Sequence, residues 1–303
     1  MNGKTKILIT GATGYIGEDL LCILMDSNDK EISIVVRNMI KAKEMFGEKI
    51  SYILYNKLEQ FKKEVENFSP DIIVHLAAYS TSGDTQKDIE KLIESNVVFT
   101  SHLLGALSNC NIKLFINTGS FSEYHNSNDE VSPTYFYSAT KTSARYMIEY
   151  FSKRDGFKFV NAILYSVYGK KSSNKKIIDY ALESLNSSLS VGMSSGYQCL
   201  DFIHMDDVVN FYINLIDRYK ELDLSKVSYE VGTGKCYSIR EMVVILEKLT
   251  NKKANIEWGK YKIRKVDTVR ACANIVNTRE ELKFISTVPL FEGLEKYIKD
   301  IEL

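Results

Sequence analysis

The sequence predicts an α/β protein built on a doubly wound parallel sheet, with a smaller C-terminal α/β lobe. Two observations support this prediction. First, the short apolar run 7–9 opens into a glycine-rich turn, and a helical segment follows at 19–24. Second, apolar strand patterns then alternate with helical ones, which implies right-handed crossovers between parallel strands. Together they indicate a Rossmann-type fold.

The glycine-rich turn, Thr10–Gly17, reads TGATGYIG and stands between the first strand and the first helix. Gly11 allows a tight turn, Gly14 leaves room for a pyrophosphate, and Gly17 lets helix and strand approach closely. Free N–H groups at the start of the helix would then face the anion. The turn therefore predicts a dinucleotide site, and a purely structural turn is the alternative.

Further strands and helices follow in alternation. We expect strands at 31–36, 51–55, 72–78, 113–117 and 157–163, with helices at 57–68, 88–109 and 135–154. After about residue 168, helices at 175–188, 206–219, 238–249 and 290–299 mix with short strands such as 228–231. We therefore assign 1–168, with returning segments such as 200–232, to a dinucleotide-binding domain, and 169–199 with 233–303 to a substrate lobe.

Length and composition exclude several classes of protein. The 303 residues suffice for one large domain and a smaller lobe, and Lys+Arg 39 balances Asp+Glu 39. We expect no nucleic-acid face and no membrane span, and the N-terminus lacks a signal-peptide pattern. The cysteines show no metal-ligand spacing, so we expect no metal site. We expect a cytoplasmic location, with reduced cysteines at positions 22, 110, 199, 236 and 272.

Tyr137 and Lys141 are the first candidates for chemistry. Their spacing on the predicted helix puts phenol and ammonium on one face. A nearby cation favours the phenolate, so the tyrosine could exchange a proton with a substrate oxygen near neutral pH. An ordinary surface Tyr/Lys pair is the alternative.

Ser120 is the third candidate. The strand at 113–117 ends in a small polar cluster, which places this hydroxyl at the carboxyl edge of the sheet, within reach of the same substrate oxygen. Turn chemistry is the alternative. Of the histidines, we expect His75 to be core and His204 to be structural, whereas His125 lies in the loop after Ser120.

These motifs together resemble the extended short-chain dehydrogenase/reductase family of nucleotide-sugar enzymes. They occur in the family's order as TGATGYIG, HLAA at 75–78, Asn96 in the long helix, the hydroxyl cluster around Ser120, and the Tyr137/Lys141 pair. The resemblance continues through VYG at 167–169, DFIHMDDV at 201–208, YEVGTG at 229–234 and the stretch 264–267. It covers essentially the whole chain.

The resemblance implies a role for each site residue. Tyr137 would be the general acid/base, Lys141 would lower its pKa and hold the nicotinamide ribose, and Ser120 would orient the sugar C4 oxygen. Cofactor contacts are implied for Gly11, Thr13, Gly14, Tyr15, Ile16, Gly17, Arg37, Asn38, Asn56, Leu58, Leu76, Ala77, Ala78, Thr118, Tyr165 and Val167, with Asn96 as a structural support. Substrate contacts are implied for Tyr79, Phe121, Ser122, His125, Ser166 and Arg264.

The residues after Ser120 argue against several of the reactions that the family carries out. Family dehydratases place an Asp-Glu pair there, decarboxylases a Glu, and fucose-synthase-type enzymes a Cys, whereas this chain has Phe121 and Ser122. Hydride transfer at C4 remains. Ser166 and Leu200 depart from the epimerase pattern, so the chain looks closest to CDP-abequose and paratose synthases and dTDP-4-keto-6-deoxyglucose reductases, which finish deoxysugars for O-antigens.

The end of the second strand, Arg37-Asn38, bears on the cofactor. NAD-preferring members have an acid there, whereas an arginine can pair with a phosphate, so we expect NADP(H), with NAD as the alternative. The expected activity is NADPH-dependent reduction of a nucleotide-linked 4-keto-6-deoxyhexose. A 4-epimerase that retains NAD and a non-catalytic NADP sensor or scaffold are the alternatives. The family often pairs as homodimers through the helices at 88–109 and 135–154, so a homodimer is expected.

Overall fold

A computed structural model of the chain describes residues 4–125, 130–172, 174–222, 224, 226–262, 264 and 266–302. The strands are β1 (Thr5–Thr10), β2 (Lys30–Val36), β3 (Ser51–Leu54), β4 (Ile72–His75), β5 (Leu114–Ser120), β6 (Lys158–Leu164), β7 (Ser166–Tyr168), β8 (Val191–Met193), β9 (Cys199–His204), β10 (Ser228–Val231), β11 (Cys236–Ser238), β12 (Ile256–Trp258) and β13 (Arg270–Ala271).

The α-helices are α1 (Gly17–Leu24), α2 (Met39–Phe46), α3 (Leu58–Phe68), α4 (Gln86–Leu92), α5 (Phe99–Leu107), α6 (Phe136–Asp155), α7 (Ile177–Ser184), α8 (Met205–Arg218), α9 (Ile239–Thr250), α10 (Val276–Glu280) and α11 (Leu290–Glu302). A π-helix at Ile93–Val98 joins α4 to α5, and a 3-10 helix at Phe121–Glu123 follows β5. Within the described ranges, no helix has the length and apolar character that crossing a bilayer requires.

A seven-stranded parallel sheet forms the centre of the molecule, in the order β10-β6-β5-β4-β1-β2-β3. The doubly wound parallel fold is therefore confirmed, and β10 adds a seventh strand. The direction of winding reverses beside β1, whose neighbours are β2 and β4. In such sheets, ligands bind at the carboxyl ends of the strands beside this switch point.

Two apolar layers cover the sheet, which explains why β1 is apolar without a break. Ile7 and Ile9 face a cluster that includes α1 and α8, whereas Leu8 faces a second cluster with Phe61 of α3 and Ile148 of α6. Successive residues of a strand point to opposite faces, and a parallel sheet buries both of them. The crossovers thus hold the carboxyl edge of the sheet between two rigid layers.

The second lobe has a small sheet of its own, in which β9 pairs with β7, β11 and β13. Its core packs α7, α9 and α11 around buried side chains such as Tyr168, Phe202, Leu246 and Leu294. The chain then returns to the large sheet, because Leu282 and Phe284 pack into the cluster that contains α1 and α8. On this path, Ala271 and Ala273 pack against Ile163 and Tyr165 at the carboxyl end of β6.

Most predicted elements are present, and three differences lie within the first 110 residues. The strand predicted over 72–78 ends at His75: the Leu76 N–H makes the last bond to the Thr10 carbonyl oxygen, and the Ala77 N–H bonds to the Thr10 hydroxyl instead of continuing the ladder. The helix predicted over 88–109 is a helical run broken by the π-helix. Helix α2 was not predicted. Asn38 caps it by accepting a hydrogen bond from the Lys41 N–H at 3.0 Å.

The prediction that all five cysteines are reduced is wrong for one pair. Cys236 and Cys272 form a disulfide with their Cα atoms 5.4 Å apart. Cys236 opens β11 and Cys272 follows β13, and both strands pair with β9. The fold therefore brings together two residues 36 positions apart, which no local spacing reveals. Cys22, Cys110 and Cys199 are free.

Candidate active site

The glycine-rich turn leaves the start of α1 open. Gly11 has a φ of +73°, and a Cβ there would lie 2.6 Å from the Ala77 nitrogen. A Cβ on Gly17 would collide with the Gly11 carbonyl oxygen, to which Gly14 donates its N–H at 3.0 Å. Ile16 precedes the helix and supplies no side-chain cap. The Glu18 N–H bonds to the Gly14 carbonyl oxygen at 3.1 Å, and the helix start is otherwise without a side-chain cap, which suits an anion; the exposed Thr13 lies on the same turn.

Tyr15 ties this turn to the second lobe. Its hydroxyl donates to the Lys170 carbonyl oxygen at 3.1 Å, and the Lys176 Nζ lies 3.6 Å from the centre of its ring. Lys176 also donates to the carbonyl oxygen of Val167 at 2.8 Å. Burial lowers the pKa of Lys176 to about 7. Lys176, which was not predicted as a site residue, thus packs over the ring of Tyr15 in the glycine-rich turn.

The segment after β4 lies against the turn, as the bonds from Leu76 and Ala77 to Thr10 require. Asn96 of the π-helix is buried and holds the loop that begins with the exposed Ala78. It accepts the Tyr79 N–H at 2.8 Å and donates to the Tyr79 carbonyl at 3.0 Å and to Thr140 Oγ1 at 2.9 Å. These bonds suit the structural support that was expected of Asn96.

The residues predicted on the adenosine side lie at the ends of β2 and β3. Arg37 is exposed. Asn38 uses its oxygen as the cap of α2, a role that the sequence analysis did not assign. Asn56 accepts the N–H of Lys57, and the side chain of Leu58 is 44% exposed. Arg37 is thus the charged residue of this group, and its side chain is exposed to solvent.

Ser120 ends β5, and Tyr137 and Lys141 lie on successive turns at the start of α6. Glu123, in the turn after β5, is the group that relates to all three. The Ser120 N–H donates to Glu123 Oε1 at 2.8 Å, and the charge of Glu123 acts on both Tyr137 and Lys141. Nearby, Thr118 Oγ1 and the Tyr212 hydroxyl share a hydrogen bond of 2.6 Å. Ser120 and Glu123 therefore lie at the carboxyl edge of the sheet, and the charge of Glu123 reaches both the phenol and the ammonium.

Burial sets the protonation states at this site. It lowers the pKa of Lys141, 2% exposed, to about 8, and the negative charge of Glu123 opposes that change. It raises the pKa of Tyr137, and Glu123 raises it further, while a hydrogen bond with Ser80 works against the rise. The expectation that Lys141 lowers the pKa of Tyr137 is therefore not met in this structure, where desolvation dominates.

The histidines do not compete for the role of proton donor. His75 is buried between Thr10 Oγ1 at 2.8 Å and Thr100 Oγ1 at 3.0 Å, and burial lowers its pKa to about 3. His204 is buried and caps α8 by accepting from the Asp206 N–H. Both are structural, as expected. Among the described residues, no group of three or more histidines, cysteines and carboxylates could hold a metal ion.

Ser120 belongs to a chain of serine hydroxyls. Ser138 Oγ donates to Ser122 Oγ at 2.7 Å, and Ser122 Oγ lies 2.8 Å from Ser120 Oγ. Ser122 is 5% exposed, so its hydroxyl is occupied inside the protein. The interpretation of Ser122 as a substrate contact is therefore corrected, since it supports Ser120 from behind.

Aromatic rings form a wall beside Ser120. Phe121 stacks on Tyr165 with ring centres 5.6 Å apart, and the Tyr165 hydroxyl donates to Glu230. Ser166 is half-buried where β7 begins, and Val167 follows it in the same strand.

A segment of the second lobe closes the other side of the site. Arg264 Nη1 donates to the Ser82 carbonyl oxygen at 2.8 Å, and its guanidinium lies 5.2 Å from the Tyr135 ring centre. Tyr135 donates to Asp267 Oδ1 at 2.8 Å, and His125 Nε2 lies 3.2 Å from the Asp267 carbonyl oxygen. Arg264 and His125 are therefore brought to one rim.

Three residues of this site were not found in the sequence: Ser80, Glu123 and Lys176. For Glu123 a signal was present, because Ser120 and Glu123 have the Ser-x-x-Glu spacing of a capping box and form one. For Ser80 and Lys176 we find no local signal, since their partners come from α6 and from the glycine-rich turn.

The chain is similar in sequence and in fold to known proteins. The sequence model of the NAD dependent epimerase/dehydratase family matches residues 7–232. The chain is 28% identical over 303 residues to CDP-abequose synthase of Salmonella typhimurium, covering 98% of each. It is 21% identical to dTDP-4-dehydro-6-deoxyglucose reductase of Escherichia coli, again covering 98% of each.

Among solved structures, the fold is similar to UDP-glucuronic acid 4-epimerase from Bacillus cereus in complex with UDP-glucuronic acid and NAD. The TM-score is 0.85 at 21% identity, over 98% of this chain and 100% of that one. This likeness supports the Rossmann-type fold.

Proposed function

Because the chain belongs to the NAD dependent epimerase/dehydratase family, we propose that it reduces the C4 keto group of a nucleotide-linked 4-keto-6-deoxyhexose with NADPH. The family is one of nicotinamide-dependent enzymes. Two relatives that align along nearly the whole chain are named for deoxysugar synthesis, one as CDP-abequose synthase and one as a dTDP-4-dehydro-6-deoxyglucose reductase. The reaction therefore belongs to deoxysugar biosynthesis, and the reductase supports net reduction.

The main support is one buried carboxylate, Glu123, at the carboxyl edge of the sheet, which binds the Ser120 N–H and whose charge acts on Tyr137 and Lys141. A phenol with a raised pKa stays protonated at neutral pH, which is the state that a proton donor needs. The dehydratase and decarboxylase bases are missing, because Phe121 and Ser122 occupy those positions and Ser122 is buried.

The residues present fit a nicotinamide dinucleotide. The open start of α1 suits the pyrophosphate, and the buried ammonium of Lys141, for which the described residues provide no hydrogen bond, suits a ribose hydroxyl. Arg37 is exposed at the end of β2, where it suits a 2′-phosphate and favours NADP(H) over NAD. When bound, this cofactor supplies the hydride that C4 receives.

The residues of the chain supply the proton and hold the sugar oxygen. Tyr137 gives its Oη proton to the C4 oxygen as the C=O double bond becomes a C–O single bond, and the resulting phenolate later takes a proton from solvent. Each serine hydroxyl has one proton. Ser138 donates to Ser122, and if Ser122 donates to Ser120, the proton of Ser120 is free for the same C4 oxygen.

The substrate would lie between the two lobes. Arg264 and His125 on the rim suit the diphosphate, and the wall of Phe121 and Tyr165 suits the sugar ring. Tyr79 lies in the loop after β4, and the Lys91 Nζ lies 5.6 Å from the centre of its ring. These placements support a nucleotide-diphosphate deoxysugar as the substrate class.

The direct test is turnover by the full chain. We expect NADPH to be consumed when a CDP-, dTDP-, GDP- or UDP-linked 4-keto-6-deoxyhexose is added, with a 4-hydroxy sugar as product. Interconversion of C4 epimers without net NADPH consumption would instead indicate the 4-epimerase. Tight NADPH binding without turnover of any sugar in the panel would indicate a sensor or scaffold.

We also propose a homodimer that pairs through the helical run 86–107 and α6. Ile93 is 40% exposed there, and Tyr146 and Tyr150 are 55% and 62% exposed on α6. Leu92 of the same run is fully buried in the core and does not reach this surface. Light scattering should give twice the mass of the chain, and Tyr150→Glu should reduce it to that of a monomer.

A further inference from the structure

Glu123 is a fully buried carboxylate in the turn that carries Ser120. Its Oε1 accepts the Ser120 N–H at 2.8 Å, and its Oε2 accepts from Thr142 Oγ1 on α6 at 3.0 Å. The fit is close, since a Cβ on Gly119 would lie 3.0 Å from Oε1. One side chain therefore fastens the end of β5 to α6.

The hydrogen bonds and the neighbouring cations of Glu123 suit an ionised carboxylate. Both oxygens accept hydrogen bonds, which is the pattern of an ionised carboxylate. Two buried cations of α6 face it, Lys141 and Arg145, 2% and 7% exposed. Burial raises the pKa of Glu123, and the Ser120 N–H, Lys141 and Arg145 oppose that rise.

The groups that face the ammonium of Lys141 can be named element by element. Glu123 faces it from the turn after β5, and its charge stabilises the ammonium. His75 faces it from β4, and burial lowers the pKa of this imidazole to about 3, so it is neutral at physiological pH. Tyr137 and Arg145 come from α6 itself. Among these groups, Glu123 supplies the negative charge.

We propose that Glu123 is a positioning residue that fixes Ser120 at the site and keeps Lys141 charged for the cofactor. This inference rests on the proposed function, because it assumes that the ammonium of Lys141 binds a nicotinamide dinucleotide. The same charge makes ionisation of Tyr137 less favourable, which keeps the phenol as a proton donor. Glu123 thus favours the protonated forms of both residues on which reduction depends.

The test is the affinity of the full chain for NADPH as a function of pH, measured by the fluorescence of the nucleotide. In the wild type, affinity should fall as the pH rises through about 8, where Lys141 loses its proton. The negative charge of Glu123 favours the ammonium of Lys141, so in Glu123→Gln the midpoint should move to lower pH. The same displacement should occur in kcat/KM with a 4-keto sugar.

Control variants distinguish the effect of the charge of Glu123 from the effect of its packing. Glu59→Gln makes the same change of charge at an exposed position of α3 and should leave the midpoint in place. Thr142→Val removes a hydrogen bond of Glu123 but keeps its charge, so the midpoint should also stay. Lys141→Arg keeps a cation at all accessible pH values and should abolish the midpoint.

An unmoved midpoint in folded Glu123→Gln would overturn the inference. If that variant does not fold, as judged by circular dichroism, a wild-type midpoint that persists in Lys141→Arg would overturn it equally. Wild-type protein that binds no nicotinamide nucleotide would overturn the proposed function and this inference together. Binding without sugar reduction would contradict the proposed function alone, since the titration of affinity needs no turnover.

Discussion

Arg264 donates a hydrogen bond to the carbonyl oxygen of Ser82, which is 182 positions away in the chain, at 2.8 Å. The bond joins the second lobe to the loop that follows β4, directly beside the site. The side chain of Arg264 is exposed and lies over the ring of Tyr135. A guanidinium held in this way on the rim of a crevice can pair with an entering diphosphate without a large rearrangement.

Arg264→Met should therefore raise the KM for the nucleotide sugar with little change in kcat. A charge-assisted hydrogen bond contributes about 1.5–3 kcal/mol, which corresponds to an increase of about 10- to 100-fold in KM. Steady-state kinetics with NADPH consumption measures both constants. Arg279→Met, at an exposed position of α10, serves as control and should leave KM unchanged. An unchanged KM in Arg264→Met would remove Arg264 from the substrate site.

Tyr137→Phe should lower kcat by about 10²–10⁴-fold, because it removes the proton that the C4 oxygen receives. Affinity for NADPH should stay within a few-fold of the wild type, since the phenyl ring is retained. Single-turnover kinetics and nucleotide fluorescence separate the two effects. Tyr150→Phe provides the matched control on the exposed face of the same helix. A variant that kept more than about a hundredth of wild-type kcat would contradict the general-acid role.

The sequence predicts well those parts of the site that depend on residues close together in the chain. The run Ile7–Ile9 predicts a strand because alternate residues face two buried layers, and the glycines after it have the φ value and close contacts that require glycine. The spacing of Tyr137 and Lys141 predicts that they share a helix face, and helix α6 places them on successive turns. These relationships span a few residues, so propensity and periodicity determine them.

Other features depend on partners that are far apart in the chain. Burial of Tyr137, with a further contribution from the charge of Glu123, raises its pKa, which is opposite to the direction expected from the sequence. The disulfide arises because β11 and β13 both pair with β9. No spacing in the sequence contains this information, since it appears only when the sheets have formed.

Stability at acid pH should depend on His75. Its folded-state pKa is lowered to about 3 from an ordinary value of 6.5, so between these values the unfolded chain binds a proton that the folded chain does not. Stability is therefore lost as the pH falls through this window, by about 1.4 kcal/mol per pH unit from this group. Urea unfolding at several pH values should show a shallower pH dependence in His75→Gln than in the wild type. His125→Gln, at a half-exposed position, should keep the wild-type slope, and equal slopes in all three proteins would contradict the prediction.

The disulfide between Cys236 and Cys272 should stabilise the second lobe under oxidising conditions. Closing a loop of this length limits the unfolded chain and contributes about 2–4 kcal/mol. Cys236→Ser should therefore unfold at lower urea concentration than the wild type without reductant. With reductant, the two proteins should differ much less. Cys199→Ser, which removes a free thiol, should behave as the wild type in both conditions. Equal stability of Cys236→Ser and wild type without reductant would show that the bond does not contribute.

Cofactor choice should depend on Arg37. This side chain is exposed at the end of β2, and a guanidinium there can pair with the 2′-phosphate of NADP(H), whereas a carboxylate would repel it and accept from the ribose 2′-hydroxyl. Arg37→Asp should therefore lower the ratio of NADPH to NADH affinity by about 10- to 100-fold, given about 1.5–3 kcal/mol for a charge-assisted bond. Nucleotide fluorescence titrations measure both affinities. Lys87→Asp makes the same charge reversal at an exposed position of α4 and should leave the ratio unchanged. If Arg37→Asp also leaves it unchanged, the 2′-phosphate is not recognised at this strand end, and the preference for NADPH loses its basis.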